Sequence, residues 1–530
     1  MNLQDLPVGT FDCETDPFIF GRVPYPFAAC AYFSDINYSL LWEPDILKKV
    51  IRMLRKMPPC ILYAHNGGKF DFHFFLEWAN KDEIVIRNGR VTQMQIGQVI
   101  LKDSWPLMPF PLEEYRKTPI NYAIFEKEKR NLIRNKKEIC SYLLDDCRDL
   151  RNLVLGFRNI VGPKDTIGSA AFFQMRQLGL KIKSLNESHD VVFRPYFFGG
   201  RVEAIQKGLH RGPLLYVDIN SAYPFAMLNN HPHGNDYARG DRLPPNDLLG
   251  PCFIHCIADS NGALPMRADD GSLSFPCRLN NGEFFATGWE IATGLKTKTL
   301  KIKRIIDVWL PQAFINFREY VETFFALRQK AKNEGDAIKR LAYKYLLNAG
   351  YGKFAQNPRE FKTYKLSEFG IAISGYDWET DFGSISIWSK PSYDGFGFFD
   401  VATGASITGF VRAMLWEAIC NSQKVLYVDT DSMVCKSTRI TLGDSLGQWK
   451  IEGKVNECAI AGKKLYGVDW GKPIKPDDKE SRFKVASKGA RLSYKQIVAL
   501  CNGKSIIWKN DAPTFSLKGA HFVEREITST

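Results

Sequence analysis

The stretch KVLYVDTDSMV, Lys424 to Val434, ends an apolar run on two carboxylates, Asp429 and Asp431, with only Thr430 between them. Read as one continuous strand, the alternation of side chains puts Asp429 and Asp431 on the same face. Two like charges in a poorly solvated place repel, and one of them tends to hold a proton. A cation removes that conflict, which makes a metal site one reading. A hairpin turn is the other, because Asp-Thr-Asp-Ser is good turn chemistry. The stretch alone leaves both open, and the rest of the chain has to separate them.

The chain has 530 residues, enough for three or four domains at ordinary domain sizes. Hydrophobic residues at 45% and charged residues at 24% describe a globular, soluble protein and exclude a disordered one. The net charge of +13 favours a polyanionic partner such as nucleic acid. Aromatics make up 13% and often sit beside Lys or Arg, as in RPYFFGGR, Arg194 to Arg201. Stacking next to phosphate-binding cations is how single strands are held, although most such rings pack cores. The 12 cysteines are scattered, and Cys252, His255, Cys256 and Cys277 fit no familiar zinc spacing, so free thiols in a reducing compartment are expected. The first residues carry neither a signal-peptide core nor a transit pattern, and no apolar run reaches the roughly 20 residues that span a bilayer. The expectation is a cytoplasmic protein without a membrane segment.

EICSYLLDDCRDLRNLVLGF, Glu138 to Phe157, reads as a helix from the spacing of Leu143, Asp146, Leu150 and Leu153. Glycines and aromatics around RPYFFGGRVEA suggest a linker, and PLLYVDINSAYPFAM, Pro213 to Met227, is strand-like. Residues 228–311 read as an inserted, mostly β region. Residues 312–348 are helical and broken at Asn333-Glu334-Gly335, which predicts two antiparallel helices, with Gly350 and Gly352 ending the second. A further irregular segment spans about 358–397, and a helix over ASITGFVRAMLWEAI leads into the opening strand.

YVDINSAYP places Asp218 at the end of a second apolar strand. If the two strands are neighbours, Asp218 and Asp431 can share two divalent cations, the arrangement for in-line phosphoryl transfer. Between them in sequence, Lys344, Asn348 and Tyr351 fall on one helix face. Lys344 could neutralise a triphosphate, and Tyr351 with Gly352 could offer a flat surface to a base pair. Taken singly, Asp218 is equally a strand-end cap, and the helix equally a solvated amphipathic one.

In order, DINSAYP, KYLLNAGYG and YVDTDS resemble the three polymerase motifs of the family B DNA polymerases. The resemblance implies that Asp218, Asp429 and Asp431 are catalytic, with Asp218, Asp431 and the Ile219 carbonyl as metal ligands. It implies that Tyr223 stacks under the incoming sugar and that Lys344, Asn348 and Tyr351 contact the nucleotide. Ala349-Gly350 departs from the usual Ser and larger residue. Near the N-terminus, Asp12 and Glu14 in FDCETDPF, Asp71 in NGGKFD, and Tyr142 with Asp146 in YLLDD resemble the three motifs of proofreading 3′–5′ exonucleases. Four carboxylates would hold two metals that activate a water, Tyr142 would orient it, and Lys117 in PFPLEEYRK would stabilise developing charge. Thr15, Asn66 and Phe70 would grip a frayed strand. The Asn-to-Asp spacing carries an extra glycine relative to close relatives.

The compact length and the two extra segments are similar to the protein-primed branch, which copies linear phage genomes and linear plasmids. In FFGGR, Phe198, Gly199 and Gly200 resemble that branch's template-holding linker motif; Lys464 and Tyr466 in KLY, and Lys488 in SKGAR, resemble its primer contacts. The implied architecture is a multidomain chain of α/β and α+β parts. An RNase H-like exonuclease domain (1–165) and a linker (166–205) precede a right-hand polymerase. Its palm is 206–227 and 400–451, its fingers 312–357, and its thumb and C-terminal region 452–530. Insertion 228–311 would meet a terminal protein, and insertion 358–399 would serve processivity and strand displacement. The implied cofactors are two Mg2+ or Mn2+ per active site. The implied partners are primer-template DNA, displaced single strand, deoxynucleoside triphosphates and the terminal protein, with the chain a monomer. A family B enzyme started from nucleic-acid primers, or without a primer, and a non-catalytic DNA-binding scaffold are the competing readings.

Overall fold

The computed structural model describes residues 5–392, 398–474 and 478–529. Residues 1–4 of the expected exonuclease domain, 393–397 of the second expected insertion, and 475–477 and 530 of the C-terminal region lie outside the described residues.

The N-terminal third is built on a seven-stranded sheet in the spatial order Asn37–Trp42, Pro26–Ser34, Val8–Thr15, Cys60–Ala64, Val99–Asp103, Arg90–Ile96 and Ile84–Arg87. Strand Val8–Thr15 is the third of the seven, antiparallel to Pro26–Ser34 and parallel to Cys60–Ala64. A helix of 29 residues, Ile133–Val161, packs against it, longer at both ends than the stretch read from sequence. At its far end the glycine at 156 lies against the side chain of Ile338, where an added Cβ would come within 2.7 Å of Cγ2. One hydrophobic core therefore runs from this helix through both helices of the 312–357 region and into the central strands, taking in Phe157, Tyr320, Leu347 and Val217.

A second seven-stranded sheet occupies the middle of the molecule. Its order is Phe483–Ser487, Leu465–Asp469, Trp449–Gly462, Gly208–Ile219, Ser432–Thr438, Ser422–Asp429 and Val202–Ala204. The sheet takes strands from both sides of the boundary expected at 451/452, so the chain beyond 452 first extends this sheet before adding helix Tyr494–Cys501. The expected linker is likewise ordered, with helices Ile167–Gln177 and Glu187–Phe193 followed by edge strand Val202–Ala204.

Helices Arg318–Asn333 and Ala337–Phe354 form the expected antiparallel pair, turning at Gly335 with φ +71°. Asp336 caps the second by accepting the Lys339 N–H at 3.0 Å. This helix runs through Gly350 and Gly352 to Phe354 instead of stopping at them. Gly350 is retained by packing, since a Cβ there would meet Met175 Cε at 2.7 Å. Helix Val401–Cys420 is buried on nearly every side, in keeping with its largely apolar sequence. Residues 228–311, expected as a first insertion, hold a four-stranded sheet with a helix on it, in keeping with their β-rich pattern. The second is a three-stranded sheet whose Leu366, Ile385 and Ile387 join the core of the N-terminal domain. No helix among the described residues is long and apolar enough to cross a membrane.

Candidate functional site

A cleft of about 830 Å³ opens where the central sheet meets the helix pair. Asp218, Ile219, Tyr223, Lys344, Asn348, Tyr351 and Asp431 all line it, although they come from three distant parts of the chain. Strand pairing explains why: Ser432 faces Asp218 across the two central strands, and the Ile219 N–H donates to the Asp431 carbonyl at 2.8 Å.

The opening stretch contains the turn that its Asp-Thr-Asp-Ser chemistry suggested. The strand stops at Asp429. Thr430 then adopts φ +64°, and the Asp431 N–H donates back to the Asp429 carbonyl at 2.7 Å. That is a γ-turn of the rarer, strained form, costly for a β-branched residue. The expectation that strand alternation aligns Asp429 with Asp431 is thus corrected, because a turn intervenes. Asp431 faces the cleft, whereas Asp429 pairs with Lys464 Nζ at 2.5 Å. The turn is braced from the linker motif: the Thr430 N–H donates to the Arg201 carbonyl at 2.7 Å, and a Cβ on Gly200 would lie 2.6 Å from Thr430 Cγ2.

Burial pushes Asp218 up to about 7, helped by repulsion from Asp431 and Glu452 and opposed by Lys484. Burial and then repulsion from Asp429 push Asp431 up to about 6. Two acids held this uncomfortably in one cleft match a site that receives a cation. Tyr223, just after Ser221 at φ +55°, stacks on Tyr351 with ring centroids 4.0 Å apart and planes at 6°. Burial raises both phenols. Lys344 pairs with Glu114 of the N-terminal domain at 3.1 Å. Arg328, Lys332 and Arg340 also line the cleft, and the sequence reading did not single them out. The signal was available: Arg328 with Lys332, and Arg340 with Lys344, are i,i+4 basic pairs on the two facing helices.

The remaining contacts expected for nucleic acid divide. Lys488 is exposed, and its N–H donates to the Lys464 carbonyl at 3.0 Å, so the two lysines are neighbours. Tyr466 is buried, packed on Tyr427 with its hydroxyl 3.4 Å from that of Tyr216, so its ring is held within the sheet. Phe198 is also buried, between the guanidinium groups of Arg267 and Arg412. Gly199 borders open space.

The second acid cluster lies on the N-terminal sheet. Phe11 and Cys13 point into the core, which leaves Asp12 and Glu14 together on the opposite face of the strand. Tyr142 and Asp146 approach one turn apart on the long helix, and Asp71 opens the turn Asp71–Phe74. The glycine-rich approach fits tightly, since a Cβ at Gly68 would sit 2.2 Å from the Val91 carbonyl. Burial drives Asp12 well above the carboxylate range, with Asp71 and Glu14 adding to it. Glu14 is pushed up to about 8 by burial and then by Asp146 and Asp71, with Lys117 opposing. Asp71 rises to about 7, mainly through burial, and its Oδ1 is buried with no hydrogen-bond partner among the described residues. Asp146 is raised by burial against a hydrogen bond from Tyr142. An orphaned carboxylate oxygen among mutually repelling acids fits a divalent cation. Among the described residues, however, no three His, Cys, Asp or Glu side chains are already closed around one ion position.

Supporting groups in this cluster escaped the sequence reading. The Tyr142 hydroxyl lies 3.1 Å from that of Tyr122. Arg90 donates to Asn66 Oδ1 at 2.9 Å and pairs with buried Asp103 at 2.6 Å, so Asn66 is already engaged. Phe70 packs edge-on to Phe18 and to Phe515 of the C-terminal region. Thr15 is buried, and its hydroxyl donates to the Asp16 carbonyl at 3.2 Å. Cys252 and Cys256 lie in the core of the first insertion, and His255 pairs with Glu283 at 2.7 Å.

Comparison with known proteins adds to this geometry. Residues 98–381 match the family model described as DNA polymerase type B, organellar and viral. The DNA-directed DNA polymerase of Enterobacteria phage PRD1 is 34% identical over 99% of this chain and 98% of its own. A DNA polymerase of Kluyveromyces lactis is 23% identical over 76% of this chain and 50% of its own. The solved structure of phi29 DNA polymerase superimposes with a TM-score of 0.75 at 17% identity, covering 99% of this chain and all of the other. Its ternary complex with primer-template DNA and incoming nucleotide gives 0.71 at 18%, over 99% of each chain.

Proposed function

The chain belongs to the organellar and viral type B DNA polymerases, and from that premise we propose a template-directed enzyme that starts a linear genome from a protein hydroxyl and edits its own product. The observation that carries the synthetic half is the shared cleft of Asp218, Asp431, the stacked Tyr223–Tyr351 pair and the cationic helix faces. Asp218, Asp431 and the Ile219 carbonyl would hold divalent ions, Mg2+ or Mn2+, which supply charge neutralisation and activation of the attacking hydroxyl. Lys344, Arg340, Lys332 and Arg328 bind the triphosphate. Asn348 and Tyr351 line the floor under the new base pair, and the Tyr223 ring leaves no room for a ribose 2′-hydroxyl.

The editing half rests on the N-terminal acids. Asp12, Glu14, Asp71 and Asp146 would hold the ions there, Tyr142 positions the water, and Lys117 offsets negative charge. DNA follows the basic surface past Gly199, Lys464 and Lys488. The first insertion receives the terminal protein, and the work is done by a monomer in the host cytoplasm. Chemistry of this kind makes the two halves separable. Asp431→Ala should abolish incorporation and leave excision intact, and Asp12→Ala with Glu14→Ala should do the reverse. Equal loss of both activities in either variant refutes the two-site reading. Labelling of a terminal protein by nucleotide, template and magnesium tests initiation, and extension of oligonucleotides without that label favours a nucleic-acid primer.

A further inference from the structure

Lys344 does not wait in the cleft as a free cation. Its Nζ lies 3.1 Å from Glu114 Oε2, and the other oxygen of the same carboxylate accepts the Tyr345 hydroxyl at 3.2 Å. Glu114 belongs to the N-terminal domain, in the short turn Leu112–Glu114, far in sequence from the helix that it grips. The turn is fixed at its start, where Phe110 stacks on Tyr345 at 4.8 Å and the Phe110 carbonyl bonds to the His65 ring at 2.9 Å. The carboxylate is therefore presented to Lys344 by a scaffold and does not arrive there by side-chain wandering. Both partners are about one-third exposed, so the pair is dissociable.

Resting on the polymerase reading above, we infer that Glu114 is a positioning residue for nucleotide entry: it occupies Lys344 until a triphosphate displaces it, and so sets the affinity for the incoming nucleotide. A triphosphate brings several anionic oxygens to a lysine that one carboxylate now holds, and the exchange keeps Lys344 paired in both states. Glu114 touches no reacting atom, so its removal should act on binding and not on the chemical step.

Single-nucleotide incorporation on primer-template, with the full chain and magnesium, tests this. In Glu114→Gln the KM for nucleotide is expected to fall about two- to fivefold, the range for a partly exposed ion pair, with kcat within about twofold. Glu114→Ala should match it. Tyr345→Phe, which loses only the hydroxyl bond and keeps the stack on Phe110, should leave KM unchanged. An unchanged or raised KM in Glu114→Gln overturns the inference. So does an equal fall in Tyr345→Phe, which would assign the effect to the scaffold. Failure of the wild-type chain to incorporate at all would overturn the polymerase reading itself.

Discussion

Replacing Asp218 by Asn should cost all nucleotide incorporation and yet stabilise the metal-free protein. The cleft displaces Asp218 from 3.8 to about 7, which amounts to about 4 kcal/mol of native-state penalty once the carboxylate is ionised. The sign follows from proton binding. Below the unfolded value both states are protonated and no penalty exists. Between 3.8 and about 7 the folded state binds more protons than the unfolded state, so stability falls as pH rises, and above about 7 the penalty is complete. Asn removes the charge but must find its own hydrogen bonds, so about half the gain, ~2 kcal/mol, should survive. For a cooperative unit of 150–250 residues that is roughly 4–8 °C. The assay is thermal unfolding of wild type and Asp218→Asn with chelator, at pH 8 and pH 4, repeated at pH 8 with manganese. The variant should melt higher at pH 8, match the wild type at pH 4, and lose its advantage when manganese stabilises the wild type. A variant that melts no higher at pH 8, or whose advantage persists at pH 4, refutes the electrostatic account.

Gly200→Ala forces a methyl group against Thr430 Cγ2, 2.6 Å away; overpacking of this kind costs about 1–3 kcal/mol and should slow primer extension, while excision of single-stranded DNA continues at the wild-type rate. Arg90→Met strands buried Asp103 and releases Asn66, so chemical denaturation should show a loss of about 3–5 kcal/mol in the N-terminal domain, with excision impaired more than incorporation. Primer-template affinity should fall steeply between 50 and 200 mM salt in a titration, as expected for a chain of net charge +13 that displaces counterions; a flat salt response would count against the charge argument.

Short strings ending in rare chemistry were readable from sequence because they combine two constraints, an apolar strand and an acid at its tip. Asp218 and Asp431 show this, and so do Asp12 and Glu14, whose face was set by the alternation of Phe11 and Cys13. The helix pair was readable from the helical pattern of 312–348 and its break at Asn333-Glu334-Gly335. What escaped was whatever depends on a partner from elsewhere in the chain. Nothing near Lys344 announces Glu114, and nothing near Asn66 announces Arg90. The burial of Tyr466 escaped for the same reason: it comes from Tyr216 and Tyr427 in other strands of the sheet, which a local motif cannot report. The γ-turn at Thr430 was half-visible, because turn-prone residues were evident but a positive φ at a β-branched residue defies local preference.

The long helix Ile133–Val161 acts as a gauge block. It bears Asp146 in the acid cluster and, ten residues or ~15 Å further along its axis, the glycine at 156 that seats Ile338 of the cleft-lining helix. The distance between the N-terminal acid cluster and the helix that lines the cleft is consequently machined into a stiff rod. Inserting one residue between 146 and 156 would rotate one end about 100° against the other and throw the two stations out of alignment, with every catalytic side chain still present.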